Sequence, residues 1–307
     1  MNSRTIALVV FSALLLFGTF NVRAQSRDAL SKVLIPGEDW QVVADNLGFV
    51  DGASSDAEGN FYFCDMRGKP PAVYKVAPDG KTRTKIAELS VSGTKIGPDG
   101  RLYACGGGKL VAIDLSNGQV TTIAQGLKTN DIAINHRGQI FMTETGRKQV
   151  TLIDAKTGAA KPADIGITAP NGIGFSPDQN TLIVSDYGGL NVYTFTVAPD
   201  GTLSNKTPHM TMKAPEKKPF IANGDGLAVD TDGRAYVTTA LGLQIFDADG
   251  KLLGILDKPQ PGAMVNAAFA GPNLEYLYLT CGNKVFRRKT RVKGALGYMA
   301  PVTRPHR

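Results

Sequence analysis

Only three of the 307 residues are cysteine and three are histidine, and both shortages exclude chemistry. Cys64, Cys105 and Cys281 can form one disulfide at most, and their spacing matches no metal or redox motif. His136 falls in a turn, His209 in a long loop and His306 next to the terminus, so no His-rich zinc site is expected. The chain has no Gly-x-Ser-x-Gly elbow, and Ser54, Ser92 and Ser176 lack an evident histidine partner, which argues against a serine hydrolase. Gly80-Lys81-Thr82 lacks the first glycine of a phosphate loop and reads as a turn. No helical period is sustained, so alternating βαβ architectures are disfavoured.

Long apolar runs are also missing after the first two dozen residues. There, Arg4 precedes the run Ile6 to Phe20, and Val22-Arg23-Ala24 places small residues where a signal peptidase cuts. Residues 1–24 therefore read as a secretory signal peptide and residues 25–307 as a single domain with a short C-terminal tail, periplasmic or secreted. No membrane span is expected after cleavage. The formal charge of +7 is mild, and the basic stretch Lys284 to Lys293 alternates with Val285, Phe286 and Val292 as a solvated outer strand does. Without an aromatic platform beside it, nucleic-acid binding is not expected.

What the sequence does contain is repetition. A turn followed by a β-rich run recurs six times, with turn residues Gly59, Gly100, Gly138, Asn180, Gly233 and Glu275 at intervals of 41, 38, 42, 53 and 42. Strand signals flank each turn, as in Gly226-Leu-Ala-Val before Asp232-Gly233 and Ala235-Tyr-Val-Thr after it. A further pair of strands fits in each interval, and four-stranded propeller blades have this length. The expected fold is all-β, a six-bladed β-propeller of four-stranded antiparallel blades. The last repeat is one strand short, and Trp40 to Ala44 is expected to complete it, joining both ends of the chain in one sheet.

Eight or nine residues before the turn anchors stand Asp51, Ser92, Asn130, Asn171, Asp225 and Asn266, all polar. About six residues after the anchors stand Asp65, Gly106, Glu144, Asp186, Thr239 and Cys281, which a symmetrical hairpin brings to the same end. The first column reads either as turns between blades, since Asp51, Asn171 and Asp225 each precede glycine, or as a ring of oxygen donors for a hard divalent cation.

At these residues the sequence resembles the regucalcin / gluconolactonase (senescence marker protein) family of six-bladed propellers. The resemblance runs from Trp40 to Gly294 and is carried by Asn130-Asp-Ile-Ala, Ala169-Pro-Asn-Gly-Ile-Gly-Phe-Ser-Pro-Asp, Gly224-Asp-Gly-Leu-Ala-Val-Asp-Thr-Asp-Gly and Arg287-Arg-Lys-Thr-Arg-Val-Lys-Gly. It implies a divalent metal on a first-blade Glu, a fourth-blade Asn and a fifth-blade Asp, which fall here at Asp51, Asn171 and Asp225. It further implies Asn130 and Lys128 as pocket residues. The family's Glu-Gly-Pro is Asp51-Gly52-Ala53 in this chain, a carboxylate one methylene shorter. The implied activity is metal-dependent opening of a sugar lactone or similar cyclic ester, with Ca²⁺ favoured over Mg²⁺, Mn²⁺ and Zn²⁺. Asp225 would hold the metal and accept the water's proton, while Asn130 and Lys128 orient substrate and steady the oxyanion. The alternative is a propeller that binds a small molecule or a protein without turnover.

Overall fold

The computed structural model describes residues 29–302. The signal-peptide reading of residues 1–24 lies outside them. The first strand among the described residues, β1 (Gln41–Ala44), is followed by blade 1, formed by β2 (Val50–Ser55), β3 (Phe61–Asp65), β4 (Ala72–Val76) and β5 (Arg83–Ala87). Blade 2 is β6 (Gly93–Ile96), β7 (Leu102–Gly106), β8 (Lys109–Ile113) and β9 (Val120–Gln125). Blade 3 is β10 (Ile132–Ile134), β11 (Ile140–Glu144), β12 (Gln149–Ile153) and β13 (Ala160–Ile165). Blade 4 is β14 (Pro170–Phe175), β15 (Thr181–Asp186), β16 (Asn191–Val197) and β17 (Leu203–Thr211). Blade 5 is β18 (Leu227–Val229), β19 (Ala235–Thr238), β20 (Leu243–Phe246) and β21 (Leu252–Leu256). Blade 6 is β22 (Met264–Ala270), β23 (Tyr276–Cys281) and β24 (Lys284–Lys289), with β1 as its outermost strand.

The six-bladed propeller is therefore the fold, closed as expected by β1, which pairs antiparallel with β24 through Gln41 opposite Arg287 and Val42 opposite Phe286. Closure corrects one detail of the sequence reading. The basic strand ends at Lys289, and β1 covers its outer edge, so it is the third strand of its blade and not the outer one. A second correction concerns the long fourth interval. Thr207 to Thr211 belong to β17, His209 included, so only residues 212–226 form the connection to β18.

Apolar side chains fill the spaces between blades, and six buried clusters occupy the six interfaces. At the closing interface Phe61 of blade 1 stacks on Tyr278 of blade 6 with ring centroids 4.5 Å apart. The inner strands β10, β18 and β22 are wholly buried, whereas the fourth strands β5, β9 and β13 are largely exposed. Each fully buried Leu, Ile or Phe contributes ~1.5–3 kcal/mol, so the interfaces, more than any single sheet, hold the ring together. No helix among the described residues is long and apolar enough to cross a membrane.

The channel has two unlike ends. At the end of the hairpin turns, the chain leaving β24 folds across the opening. Gly294 bridges to Asp230, Ala295 N–H donates to the Val229 carbonyl (2.9 Å), and Gln179 holds the Met299 carbonyl (2.8 Å). Beneath Leu296 and Tyr298 lies a cavity of about 80 Å³ lined mainly by apolar inner-strand residues. The other end, where the inner strands begin, is the mouth.

Candidate active site

The inner strands meet their neighbours at the mouth through a row of small donors. Thr143 Oγ1 donates to the Asn171 carbonyl (2.5 Å), Ser185 Oγ to that of Asp225 (2.7 Å), Thr238 Oγ1 to that of Val265 (2.9 Å) and Cys105 Sγ to that of Asn130 (3.2 Å). Each bond runs from the second strand of one blade to the entry of the next. With Cys64 and Thr280 in the same positions of their blades, this row lies one residue before the second column read from the sequence, and that reading missed it.

The second column itself holds the mouth loops. Asp65 Oδ1 accepts the Gly48 and Phe49 amides (3.0 and 3.2 Å), and Asp186 Oδ1 accepts those of Ala169 and Gly188 (2.9 and 3.0 Å). Glu144 accepts from Lys128 N–H, Arg147, Gln149 and Thr151. Burial acts against its charge, yet Thr151, the Lys128 amide, Gln149 and Arg147 together hold its pKa below the ordinary value. These carboxylates are saturated with donors and serve as loop anchors.

Residues of the first column, and Asp131 next to its Asn130, are different. Asp51 Oδ1 accepts the Gly52 amide (2.7 Å), Asp225 Oδ1 the Gly226 amide (3.1 Å), Asp131 Oδ1 the Ile132 amide (2.8 Å) and Asn266 Oδ1 the Ala267 amide (2.9 Å). The device is the same four times, one oxygen tied to the next amide. Asn266 Nδ2 then lies 3.4 Å from both Asp51 Oδ1 and Asp131 Oδ2, while Asn171 is beside Asp225. Close approach depends on glycine: a Cβ on Gly226 would fall 2.2 Å from Asn266 Cγ.

Three carboxylates thus share the channel end. Burial pushes Asp51 up to about 8, with the charge of Asp131 adding to the effect. Burial, then the charges of Asp51 and Asp131, raise Asp225 well above the ordinary range. Asp131 is raised chiefly by burial, against which the Lys95 ammonium works. Among the described residues no three His, Cys, Asp or Glu side chains form a ready metal-binding group. A cation here has to be shared between carboxylates and amides, and Asp51, Asn171 and Asp225 are such a hard-oxygen set.

Asp51, Asn171 and Asp225, the residues that the resemblance singled out for a metal, are together in this cluster. Asn130 and Lys128 are not part of it. Asn130 enters blade 3 on the same rung as Asp225, its amide bonded to the Thr143 carbonyl as Asp225's is to Thr238's, and its carbonyl is held by Ser92 (2.6 Å). Lys128 is exposed at the rim, beside a cleft that includes Gly108, Thr129 and Thr145. Asp131, which the count along the chain passed over in favour of Asn130, is the third carboxylate of the cluster, linked to Asp51 through Asn266 Nδ2, and is only 2% exposed.

Residues 49–283 match the SMP-30/gluconolactonase/LRE-like region. The chain belongs to this family. It is 23% identical over 313 residues to the gluconolactonase of Zymomonas mobilis, covering 87% of this chain and 85% of that protein. It is 27% identical over 158 residues to the pentonolactonase XacC of Haloferax volcanii, where the match spans 49% of this chain and 52% of the relative. Among solved structures, a gluconolactonase of Xanthomonas campestris superposes with a TM-score of 0.72 at 22% identity, over 85% of this chain and 92% of that one. A calcium-binding regucalcin of Agrobacterium tumefaciens gives 0.71 at 18% identity, over 86% and 98%. At those identities the structural matches establish the fold.

Proposed function

We propose that this family member is a divalent-cation-dependent lactonase that opens a sugar lactone or similar cyclic ester in an exported, periplasmic setting, with Ca²⁺ the favoured cation. The observation that carries the reading is the channel-end cluster of Asp51, Asp131 and Asp225. Three acids with raised pKa values, Asp131 buried and Asp51 and Asp225 half-buried, are a costly arrangement for a fold and a useful one for a site. The names of the relatives supply the substrate class.

Asp51, Asn171 and Asp225 would hold the cation. The chemistry it supplies when bound is Lewis acidity toward the ring carbonyl and toward water. Asp225 would accept the proton of the attacking water at the carboxylate oxygen that the Gly226 amide does not occupy. Asn130 and Lys128 at the rim would orient the substrate's substituents, and the Lys128 charge would oppose the one that develops on the carbonyl oxygen. With the far end of the channel crossed by residues 294–302, substrate enters and leaves by the mouth.

Acid release from gluconolactone, a pentonolactone and γ-butyrolactone, measured before and after chelation and then with Ca²⁺, Mg²⁺, Mn²⁺ or Zn²⁺ restored, tests the proposal. Activity that survives exhaustive chelation removes the cation, and binding of lactone without acid release favours a non-catalytic propeller. The short Asp51, in place of the family's Glu, is the observation on the side of that second reading. Export is tested by the mature N-terminus, expected at Gln25. An intact Met1 in the mature pool counts against it.

A further inference from the structure

The rim of the mouth is two-sided. Of the aromatic side chains among the described residues only Tyr187 and Phe220 are exposed, at 40% and 53%, and both stand at the mouth on the side of blades 4 and 5. Leu241, 37% exposed, is on the same side in the turn between β19 and β20. One buried residue ties these segments together. Ala222 donates its amide to the Gly189 carbonyl (3.1 Å), two residues after Tyr187, and its own carbonyl accepts the Ala240 amide (2.8 Å), next to Leu241. Phe220 is two residues before Ala222 in the connection from β17 to β18. That connection is also pinned at its start, where Gln244 accepts the Lys213 amide (2.8 Å) and donates to the Lys213 carbonyl (2.7 Å). Met212 and Ala222 are buried in the core between blades 4 and 5. The chain therefore holds Phe220 outward by construction, against the free energy that burying it would release.

This apolar wall adjoins the carboxylate cluster. The Tyr187 amide donates to the Ala169 carbonyl (2.9 Å), which carries the β14–β15 ladder one step past Asp186, so Tyr187 shares a face with Ser185. Ser185 Oγ donates to the Asp225 carbonyl (2.7 Å), and Asn223 Nδ2, two residues before Asp225, lies 3.5 Å from the Tyr187 carbonyl. Burial, then the charge of Asp225, raises the Tyr187 phenol. Across the mouth, by contrast, blades 2 and 3 present Lys128, Thr129 and Thr145 around a cleft and hold Arg147 on Glu144. Isolated exposed apolar residues are ordinary, but three on joined segments beside a polar cluster mark a place where something apolar binds. We infer that Tyr187, Phe220 and Leu241 receive an alkyl or aryl arm of the lactone, while its ester lies at Asp225 and its polar substituents turn toward Lys128. The substrate class narrows to lactones with one apolar arm. That the arm belongs to a lactone rests on the lactonase reading above, whereas the apolar wall itself does not.

Four proteins test it: the parent, Phe220→Ser, Tyr187→Ser and Phe220→Leu. For each, kcat/KM is measured on γ-butyrolactone, on γ-nonalactone, which adds a pentyl arm, and on γ-phenyl-γ-butyrolactone. In the parent the two armed lactones exceed the bare one by about tenfold or more. That preference falls by about fivefold or more in both serine variants and is kept by Phe220→Leu, as a pocket that recognises apolar bulk requires. Equal kcat/KM on all three lactones overturns the proposal, and so does a preference that neither serine variant lowers. Where no lactone is hydrolysed, saturation-transfer NMR of 2-pentyltetrahydrofuran, which has the ring and the arm but no ester, decides. Saturation of its pentyl protons by the parent, lost in Phe220→Ser, supports the wall while the lactonase reading falls; no saturation by the parent overturns both. Sedimentation of the parent and of Phe220→Ser at rising concentration completes the test. A parent that dimerises beside a variant that does not makes the wall an interface between two copies of the chain, and overturns the substrate arm.

Discussion

Buried aspartates occur at both ends of this propeller, and the two groups are built in opposite ways. At the turn end Asp230, fully buried, receives Tyr236 OH (2.8 Å) and Arg234 Nη1 (2.9 Å) on one oxygen and the amides of Asp232 and Arg234 on the other. Asp56 repeats the pattern with Tyr62 OH (2.8 Å), Asn60 Nδ2 (2.7 Å) and the Asn60 amide (2.8 Å). At the mouth Asp51 and Asp225 each have one amide and Asp131 those of Ile132 and Ile173, Asn266 Nδ2 lies 3.4 Å from Asp51 and Asp131, and Asn171 is beside Asp225. Asp230 and Asp56 are buried and Asp51 and Asp225 half-buried at the channel, so access together with the supply of donors separates a carboxylate that holds a hairpin from one that is available for a ligand.

The largest effect expected from breaking this contrast is on activity. Asp225→Ala should lower lactone turnover by about a thousandfold or more, since each ~1.4 kcal/mol of lost transition-state stabilisation is tenfold in rate. It should also abolish cation binding in calorimetry. Removing one of three mutually repelling carboxylates should leave the melting temperature in chelator unchanged or higher. A variant that binds cation as tightly as the parent shows the site to be misassigned.

The same substitution at the other end should do the reverse. Asp230→Ala leaves the Arg234 guanidinium with Asp232 Oδ2 (2.7 Å) as its remaining carboxylate and strands the buried Tyr236 hydroxyl. Leaving a buried donor unsatisfied costs about 1–3 kcal/mol, read as a lower urea midpoint. Turnover per folded molecule should stay near the parent's value. A large loss of turnover without loss of stability would overturn the division into two kinds of aspartate.

Smaller again is the effect of pH on the cation-free protein. Asp51 is raised to about 8 in the folded state, while an unfolded aspartate titrates near ~3.9. The folded state therefore keeps its proton longer. The stability contributed by this group is complete below the unfolded value and is lost as pH rises toward 8. Melts in chelator should show stability falling over that window and levelling above it, and saturating cation should remove the fall. Stability that rises over the window in chelator would show that Asp51 is held as a carboxylate.

The fold was legible because glycine marks the hairpins. Gly59, Gly100, Gly138 and Gly233 have positive φ of 86, 77, 74 and 73° at their turns, and where the fourth anchor is Asn180 the left-handed residue is Gln179 instead, with φ of 59°. The mouth was legible only to within one residue. Bulges displace the pairing between Asp51 and Ser54, Pro170 and Ile173, and Met264 and Asn266, so counting back from the turns cannot keep every blade on one rung. Thr143 Oγ1 bonds Asp131 as Thr280 Oγ1 bonds Asn266, which places Asp131 and Asn266 together. Asn130 instead takes the backbone position of Asp225. The donor row Cys105, Thr143, Ser185 and Thr238 had a sequence signal, a small Ser, Thr or Cys five residues past each anchor. It mixes a thiol with hydroxyls and is unrecognisable until the carbonyls it serves are seen.

The smallest effect is expected from the most conservative change, Asp51→Glu, which tests the mouth alone. Asp51 Oδ1 is committed to the Gly52 amide at 2.7 Å, and only the other oxygen is left for a ligand. The added methylene moves the carboxylate away from that amide and toward Asp225 and Asn171, restoring the reach of the family's residue at this position. Ligand distances are fixed to about 0.2 Å in a cation site, so a gain in reach should appear as binding several-fold tighter, with turnover equal to or above the parent's. Stability in chelator should change little, since the residue lies at the strand entry and the packed faces between blades are untouched. Weaker binding with intact folding would mean that the chain around Asp51 has already shifted to suit the shorter side chain, and that Gly52-Ala53 is part of that adjustment.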